Sequence, residues 1–198
     1  MNFAAPYDTT TKFVSALSCL ILLAAGVATH NLIVSAISLT LIFVAYAYSP
    51  QGYNVSEGAL IVRRLVGDIR MPLSELSELR PASKDDFRGC IRLMGSGGLF
   101  GYYGLFRTTS LGKCSWYVTD RSRAVVARFG PKTILLSPED GSGFLETVRT
   151  LAPQASAAPG VSQAYHPGQS GGPAMRLAIA LAVALALLGL VVGFLAVR

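Results

Sequence analysis

Gly95-Ser96-Gly97-Gly98-Leu99-Phe100-Gly101-Tyr102-Tyr103-Gly104 is the stretch on which the reading of this chain turns. Five glycines and four large apolar or aromatic residues share its ten positions. Glycine admits positive φ and close backbone approach. The aromatics bring large apolar area, with a hydroxyl tip on each tyrosine. Two readings stand. In one, the segment is a tight β-connection whose aromatics fold back onto a core. In the other, it is a loop whose Leu99-Phe100 tip, with Tyr102 and Tyr103 beside it, meets a membrane surface or a partner. A phosphate-cradling loop does not fit, because a P-loop closes with Gly-Lys and then Ser or Thr, whereas this segment runs into Gly104-Leu105-Phe106.

On either side, Val, Ile, Leu and Tyr come in short runs bounded by turn residues, the mark of strands. The runs are Tyr53–Val55, Ala59–Arg64, Asp68–Met71, Ile91–Met94, Leu105–Thr108, Ser115–Thr119, Ala124–Arg128 and Thr133–Leu136. Their spacing predicts a sandwich or barrel. The pattern then switches at Ser137-Pro138-Glu139-Asp140, which reads as a helix start with Ser137 as N-cap and Pro138 at the first helical position. Phe144, Leu145, Val148 and Leu151 follow at helical spacing.

The order of these pieces carries a resemblance. Arg92-Leu93-Met94-Gly95 followed by Gly98 to Phe106 resembles the central signature of the bacterial pleckstrin-homology (PH) domain family. Tyr53-Asn54-Val55-Ser56 with Leu60-Ile61-Val62-Arg63-Arg64 is similar to its opening hairpin. Met71 to Leu76 is similar to its third strand, and Leu136 to Asp140 with Phe144 to the entry of its last helix. The likeness covers roughly residues 51–152. It implies a mostly β fold, a PH-like antiparallel sandwich or barrel closed by one C-terminal helix. PH-like domains bind lipid headgroups, peptides or proteins, so the resemblance implies a binding module.

The flanks point to a membrane. The chain is 52% hydrophobic and 14% charged, with mean hydropathy +0.48, where a soluble domain is about 25% charged. Residues 1–11 are a polar head to which no element is assigned. After Lys12 an uncharged run extends from Phe13 to Pro50, broken at Thr29-His30-Asn31. Its halves, Phe13–Ala28 and Leu32–Tyr48, lie at the short end of the 17 to 25 or so residues that cross a bilayer. They read as a transmembrane hairpin. A signal peptide cut near Gly26-Val27-Ala28 is the alternative, opposed by the second apolar run. Residues 153–174 are uncharged and rich in Ala, Pro, Gly, Ser and Gln, a flexible linker. Leu177–Val197 is a third span, 21 residues without a charge. Gly189 and Gly193 on it form a Gly-x-x-x-Gly pair suited to helix association. The expected organisation is a hairpin in 1–50, a PH-like domain in 51–152, a linker in 153–174 and a single helix in 175–198.

Charge sets the expected orientation. The chain carries +6 net, of which +4 (fourteen basic against ten acidic residues) falls between Gln51 and Ala174. Lys12, Arg63, Arg64, Arg70 and Arg176 all flank one side of the three helices, and basic residues mark the cytoplasmic side. The expected location is a bacterial inner membrane, multi-pass, with the PH-like domain cytoplasmic. Arg63 and Arg64 are candidates for contact with anionic headgroups.

Catalysis needs a nucleophile, a base and an orienting group. The two histidines, His30 and His166, fall in a helix turn and a linker, and Asp85-Asp86 lacks further ligands. The three cysteines have no metal spacing, and basic residues do not cluster as in a nucleic-acid arm. The expectation is therefore a non-catalytic module without cofactor, metal or nucleic acid. It would act through lipid, protein or self-association, with an oligomeric or accessory subunit of a membrane complex as the alternative. A reporter fused after Arg198 is expected to read as extracytoplasmic, and a cytoplasmic signal there would defeat the three-helix arrangement.

Overall fold

The computed structural model describes residues 1–56 and 58–153. The proposed third span, Gly189, Gly193, His166 and almost all of the linker lie outside the described residues. The chain begins with β1 (Asn2–Ala4), followed by α1 (Thr9–Ala28) and α2 (Leu32–Tyr48). Nine strands follow: β2 (Gly52–Ser56), β3 (Ala59–Arg63), β4 (Ile69–Pro72), β5 (Leu76–Pro81), β6 (Ile91–Gly98), β7 (Gly101–Thr108), β8 (Gly112–Val118), β9 (Val125–Phe129) and β10 (Lys132–Leu136). Helix α3 (Gly141–Leu151) ends the described part.

Two sheets form, in the orders β1-β2-β3-β4 and β5-β9-β10-β8-β7-β6. Side chains alternate across a strand, and both sheets use that period. Tyr53 and Val55 on β2, Leu60 and Val62 on β3, and Met71 on β4 point inward from the first sheet. They meet Leu76, Leu79, Val125, Ala127, Phe129, Ile134 and Leu136 of the second sheet, with Phe144 and Val148 of α3 closing the cluster. The intervening Val126 and Leu135 turn to the opposite face of the second sheet. There they pack with Tyr102, Phe106, Cys114, Trp116 and Val118. The second sheet thus separates two cores.

This second core is roofed by the β5–β6 connection. β5 and β6 are the two edges of a six-stranded sheet, so residues 82–90 must cross five strand spacings, about 24 Å along a flat sheet. On the way Phe87 sets its ring edge-on to Trp116, centroids 5.5 Å apart. The crossover is pinned by an ion pair. Asp86 is buried, and Arg80 binds both its oxygens at 2.7 and 2.8 Å. Asp86 also receives the Ser83 backbone N–H at 2.7 Å. These bonds, the Arg80 guanidinium first, hold the Asp86 carboxyl at about 2. Arg80 and Arg128 further pair with Glu78, at 2.9 and 3.2 Å.

Several details differ from the sequence reading. The polar head is ordered: β1 pairs antiparallel with β2, Phe3 to Tyr53, and Phe3 stacks edge-on to Phe144 at 5.2 Å. Helix α1 starts at Thr9 rather than Phe13, capped by Asp8, whose side chain takes the Thr11 N–H. The N-cap of α3 is Asp140, not Ser137, which is buried between the sheets. Leu151 at the end of α3 is exposed, and the C-cap residue Ala152 is buried in its place. One strand pair, β8 with β10, is parallel in an otherwise antiparallel sheet. β5 falls where no run was read, because Glu78 and Arg80 interrupt its apolar pattern. By length and composition α1 is the one described helix able to cross a membrane; α2 has 17 residues.

The Asp86 carboxylate stabilises the fold because its folded pKa lies below the ordinary value of 3.8. That contribution is complete above about pH 4 and is lost as the pH falls towards 2. Asp86→Asn should cost about 2 kcal/mol near neutral pH. In thermal melts the gap between wild type and variant should close on acidification below pH 4. A gap that is the same at pH 7 and pH 2.5 would show that the ion pair does not stabilise the fold.

Candidate functional site

The glycine stretch is a long β-hairpin. β6 and β7 pair in register up to Gly98 opposite Gly101, leaving Leu99-Phe100 as the turn. Gly95 and Gly104 face each other near its middle, both at positive φ. A Cβ at Gly104 would collide with the Met94 carbonyl oxygen, and one at Gly95 with that of Tyr103. Glycine at these two positions is what lets the strands close while twisting sharply.

The tip does not face solvent alone. Ser15 of α1 accepts the Phe100 N–H at 2.7 Å and donates its hydroxyl to the Gly98 carbonyl at 3.2 Å. Phe100 sits at φ 53°, rare for an aromatic residue, and is held there by this serine and by the ring of Tyr46 of α2, 5.4 Å away edge-on. Ser96 braces the turn through the Leu99 carbonyl at 2.8 Å. Tyr103 donates its hydroxyl to the Ala45 carbonyl of α2 at 2.6 Å, and burial pushes that phenol up to about 12. The hairpin thus grips both helices at one level. Tyr102 points the other way, into the second core, beneath the Arg121 guanidinium 3.9 Å from its ring centroid. Leu99 is half-buried.

Below this level α1 is tied in again. The Thr119 carbonyl accepts the Asp8 N–H and the Thr11 hydroxyl, each at 3.2 Å. Between these ties, Tyr7, Lys12, Ser15, Ala16, Cys19 and Phe100 line an open, mostly apolar cleft.

A second feature lies at the exit of α2. The turn from β3 to β4, Arg64 to Asp68, comes back to the helix: the Val66 N–H bonds the Ala47 carbonyl at 3.1 Å. Arg64 lies over the Tyr48 ring at 5.6 Å and closes the turn through the Gly67 carbonyl, while Asp68 takes the Arg64 N–H at 3.0 Å. Leu65 and Val66 remain exposed, 57% and 41%. Arg63 and Arg70 are exposed beside them.

Of the residues singled out from sequence, Phe100 and Tyr103 meet at the base of the helices. Arg63 and Arg64 lie at the α2 exit, and Tyr102 is internal. Sequence reading did not single out Ser15, Ala45, Leu65 or Val66. A hydroxyl inside an apolar helix and an apolar pair between Arg64 and Gly67 were the available signals. His30 is the left-handed turn residue between α1 and α2, at φ 47°. Asp85 pairs with Arg88 and Asp86 with Arg80. The described residues contain no group of three or more His, Cys, Asp or Glu placed to hold a metal.

Ser15→Ala strands a buried carbonyl and the Phe100 N–H, at a cost of about 1–3 kcal/mol. The detergent-solubilised protein should melt several degrees lower, with Phe100→Gly in the same background adding little. An unchanged melting temperature for Ser15→Ala would mean that the helix–hairpin joint does not support the fold.

No curated protein and no solved structure matches the chain. The family model of the bacterial PH domain matches residues 51–152, which hold β2 to β10 and α3. That span is half of the chain, and its two sheets closed by a C-terminal helix fit a PH-like fold. This chain belongs to the bacterial PH domain family.

Proposed function

We propose that this protein is a membrane-tethered, non-catalytic binding or scaffolding module whose PH domain works against the cytoplasmic face of a bacterial membrane, through protein or lipid-headgroup contacts. The observation that carries this reading is the helical hairpin. Beyond Lys12 its outer faces carry large uncovered apolar side chains: Leu20, Ile21, Val27, Leu32, Leu39 and Phe43 are all exposed. Leaving such side chains in water forfeits about 1.5–3 kcal/mol each relative to burial, so a lipid environment accounts for them.

The PH domain is bound to the base of that hairpin through Ser15, Ala45 and Tyr46. A tether that is part of the fold fixes which side of the domain faces the bilayer. Lys12, Arg63, Arg64 and Arg70 lie towards the base, while the far turn Thr29-His30-Asn31 has no Lys or Arg. This asymmetry supports the cytoplasmic side. Retention of the first apolar run also fits, since a cut near Ala28 would strip β1 from its sheet and Phe3 and Ala5 from the core. The three-span, multi-pass arrangement remains part of the proposal, with α1 as its longest described helix.

A second reading, an oligomeric or accessory subunit of a membrane complex, is favoured by β6. It is an edge strand, and Ile91, Leu93 and Met94 on it are exposed. Such an edge is a template for pairing with another chain.

Membranes carrying the full chain should retain it through washes in high salt and in alkaline carbonate, with release only by detergent. Release by either wash would overturn the tether. Solubilised protein migrating as a single small species in native electrophoresis would favour the binding module, and a discrete larger assembly the subunit reading.

A further inference from the structure

We infer that the turn between β3 and β4 is a second membrane-entering element, with Leu65 and Val66 seated in the headgroup–acyl boundary of the leaflet beside α2. This rests on the membrane reading above and names the surface by which the domain itself touches lipid.

Three observations carry it. The first is chemical. Leu65 and Val66 are large apolar residues at the tip of a turn and pack in neither core. The turn is held in shape from within by Arg64 on the Gly67 carbonyl and Asp68 on the Arg64 N–H. Exposure of two adjacent apolar residues on a braced turn leaves their contact area directed outward.

The second is position. The Val66 N–H bonds the carbonyl of Ala47, in the last turn of α2. The tip is therefore anchored beside the point where the helix leaves the apolar phase. Tyr46 and Tyr48 mark the same level, and aromatic residues collect at that boundary. Arg64, lying over Tyr48, together with exposed Arg63 and Arg70, gives the chain on either side of the apolar pair three positive charges against the single negative charge of exposed Asp68. Each such positive charge near an anionic surface contributes about 1 kcal/mol of attraction. An apolar tip flanked by a net positive charge suits an anionic leaflet, where the side chains enter the acyl region and the guanidiniums stay with phosphates.

The third is length. Ser15, where the glycine hairpin grips α1, is thirteen residues from the end of that helix at Ala28. Ala45, where it grips α2, is thirteen residues from the start of that helix at Leu32. Thirteen residues rise about 20 Å in an α-helix, against a hydrocarbon core of about 30 Å. Both arms of the helical hairpin therefore give the same length beyond the grip. The helices beyond the domain are too short to keep it clear of the bilayer, so insertion draws the domain down onto the headgroups. The β3–β4 turn, fixed to α2 below the grip, is drawn into the boundary with it.

The test uses the full chain with Cys19→Ser and Cys90→Ser, reconstituted in vesicles of phosphatidylglycerol and phosphatidylethanolamine. A single environment-sensitive label is placed at Leu65→Cys, at Val66→Cys or, as reference, at Ser110→Cys. Ser110 lies in the turn at the far end of β7 from Phe100 and is exposed. Labels at 65 and 66 should show blue-shifted emission, and quenching by shallow nitroxide lipids several-fold above that at 110. Labels at 65 and 66 as aqueous as at 110, in protein that floats with the vesicles, would overturn this inference and leave the tether standing. Protein that fails to float with any vesicle would overturn both. A Leu65→Ser/Val66→Ser variant that keeps its melting temperature should lower quenching at a label on Arg63→Cys; unchanged quenching there would also overturn the inference.

Discussion

The parallel pairing of β8 with β10 is the constraint on which the remaining architecture depends. It brings the ends of the two strands to one place, Leu136 opposite Tyr117, and so sets Thr119 beside Ser137. There a chain of buried hydroxyls forms. Ser137 accepts the Thr119 N–H at 2.8 Å, and its own N–H goes to the Tyr53 hydroxyl at 3.0 Å. Tyr53 donates to the Tyr117 carbonyl at 2.6 Å. Burial pushes the Tyr53 phenol up to about 12, so it stays a donor throughout the physiological range. Buried polar groups are costly unless paired, and here the pairing reaches across elements distant in sequence. Thr119 completes the link by taking the start of α1 on its carbonyl. One network therefore ties the two sheets and the helical hairpin together.

The six-stranded sheet must cover two faces, and it does so by different means. One face meets the four-stranded sheet and α3. The other is roofed by nine residues of crossover, too few to bury it with backbone alone, so single large side chains do the covering. Phe106 stacks on Trp116 at 4.3 Å, Phe87 meets it edge-on, and Arg121 lies over Tyr102 and within 5.7 Å of Trp116. The Arg80–Asp86 pair holds this roof at its bend. The second core is thus small, aromatic and fastened by charge, whereas the first is broad and aliphatic.

The helical hairpin and the PH domain are joined into one mechanical unit. β1 precedes the helices and β2 follows them, and the two strands pair. The helices are consequently an excursion from a single sheet, gripped again by the glycine hairpin from the side. Any tilt of the helices is passed to the domain through Ser15, Ala45 and Thr119. A flexible linker would transmit none of it.

Local physics made much of this legible in the sequence. Period-two apolar runs located most strands, the paired apolar runs located α1 and α2, and the order of the pieces around Gly98 to Phe106 carried the family. What escaped was whatever depends on distant partners. β1 is three residues with no pattern of its own, and it is a strand because β2 offers an edge. Ser137 before a proline has the local form of a helix cap, but the parallel β8–β10 pairing takes its hydroxyl for Thr119, and Asp140 caps the helix instead. Leu99-Phe100 and Leu65-Val66 are both apolar pairs in turns, indistinguishable by composition. The sequence by itself determined the strand runs on either side of each pair, and an apolar tip only at Leu99-Phe100. Only the tertiary structure decided that the first is docked on α1 and α2 while the second is left exposed, because Ser15 of α1 bonds the first turn and Tyr103 beside it bonds Ala45 of α2, whereas the second is held only through the Ala47 carbonyl.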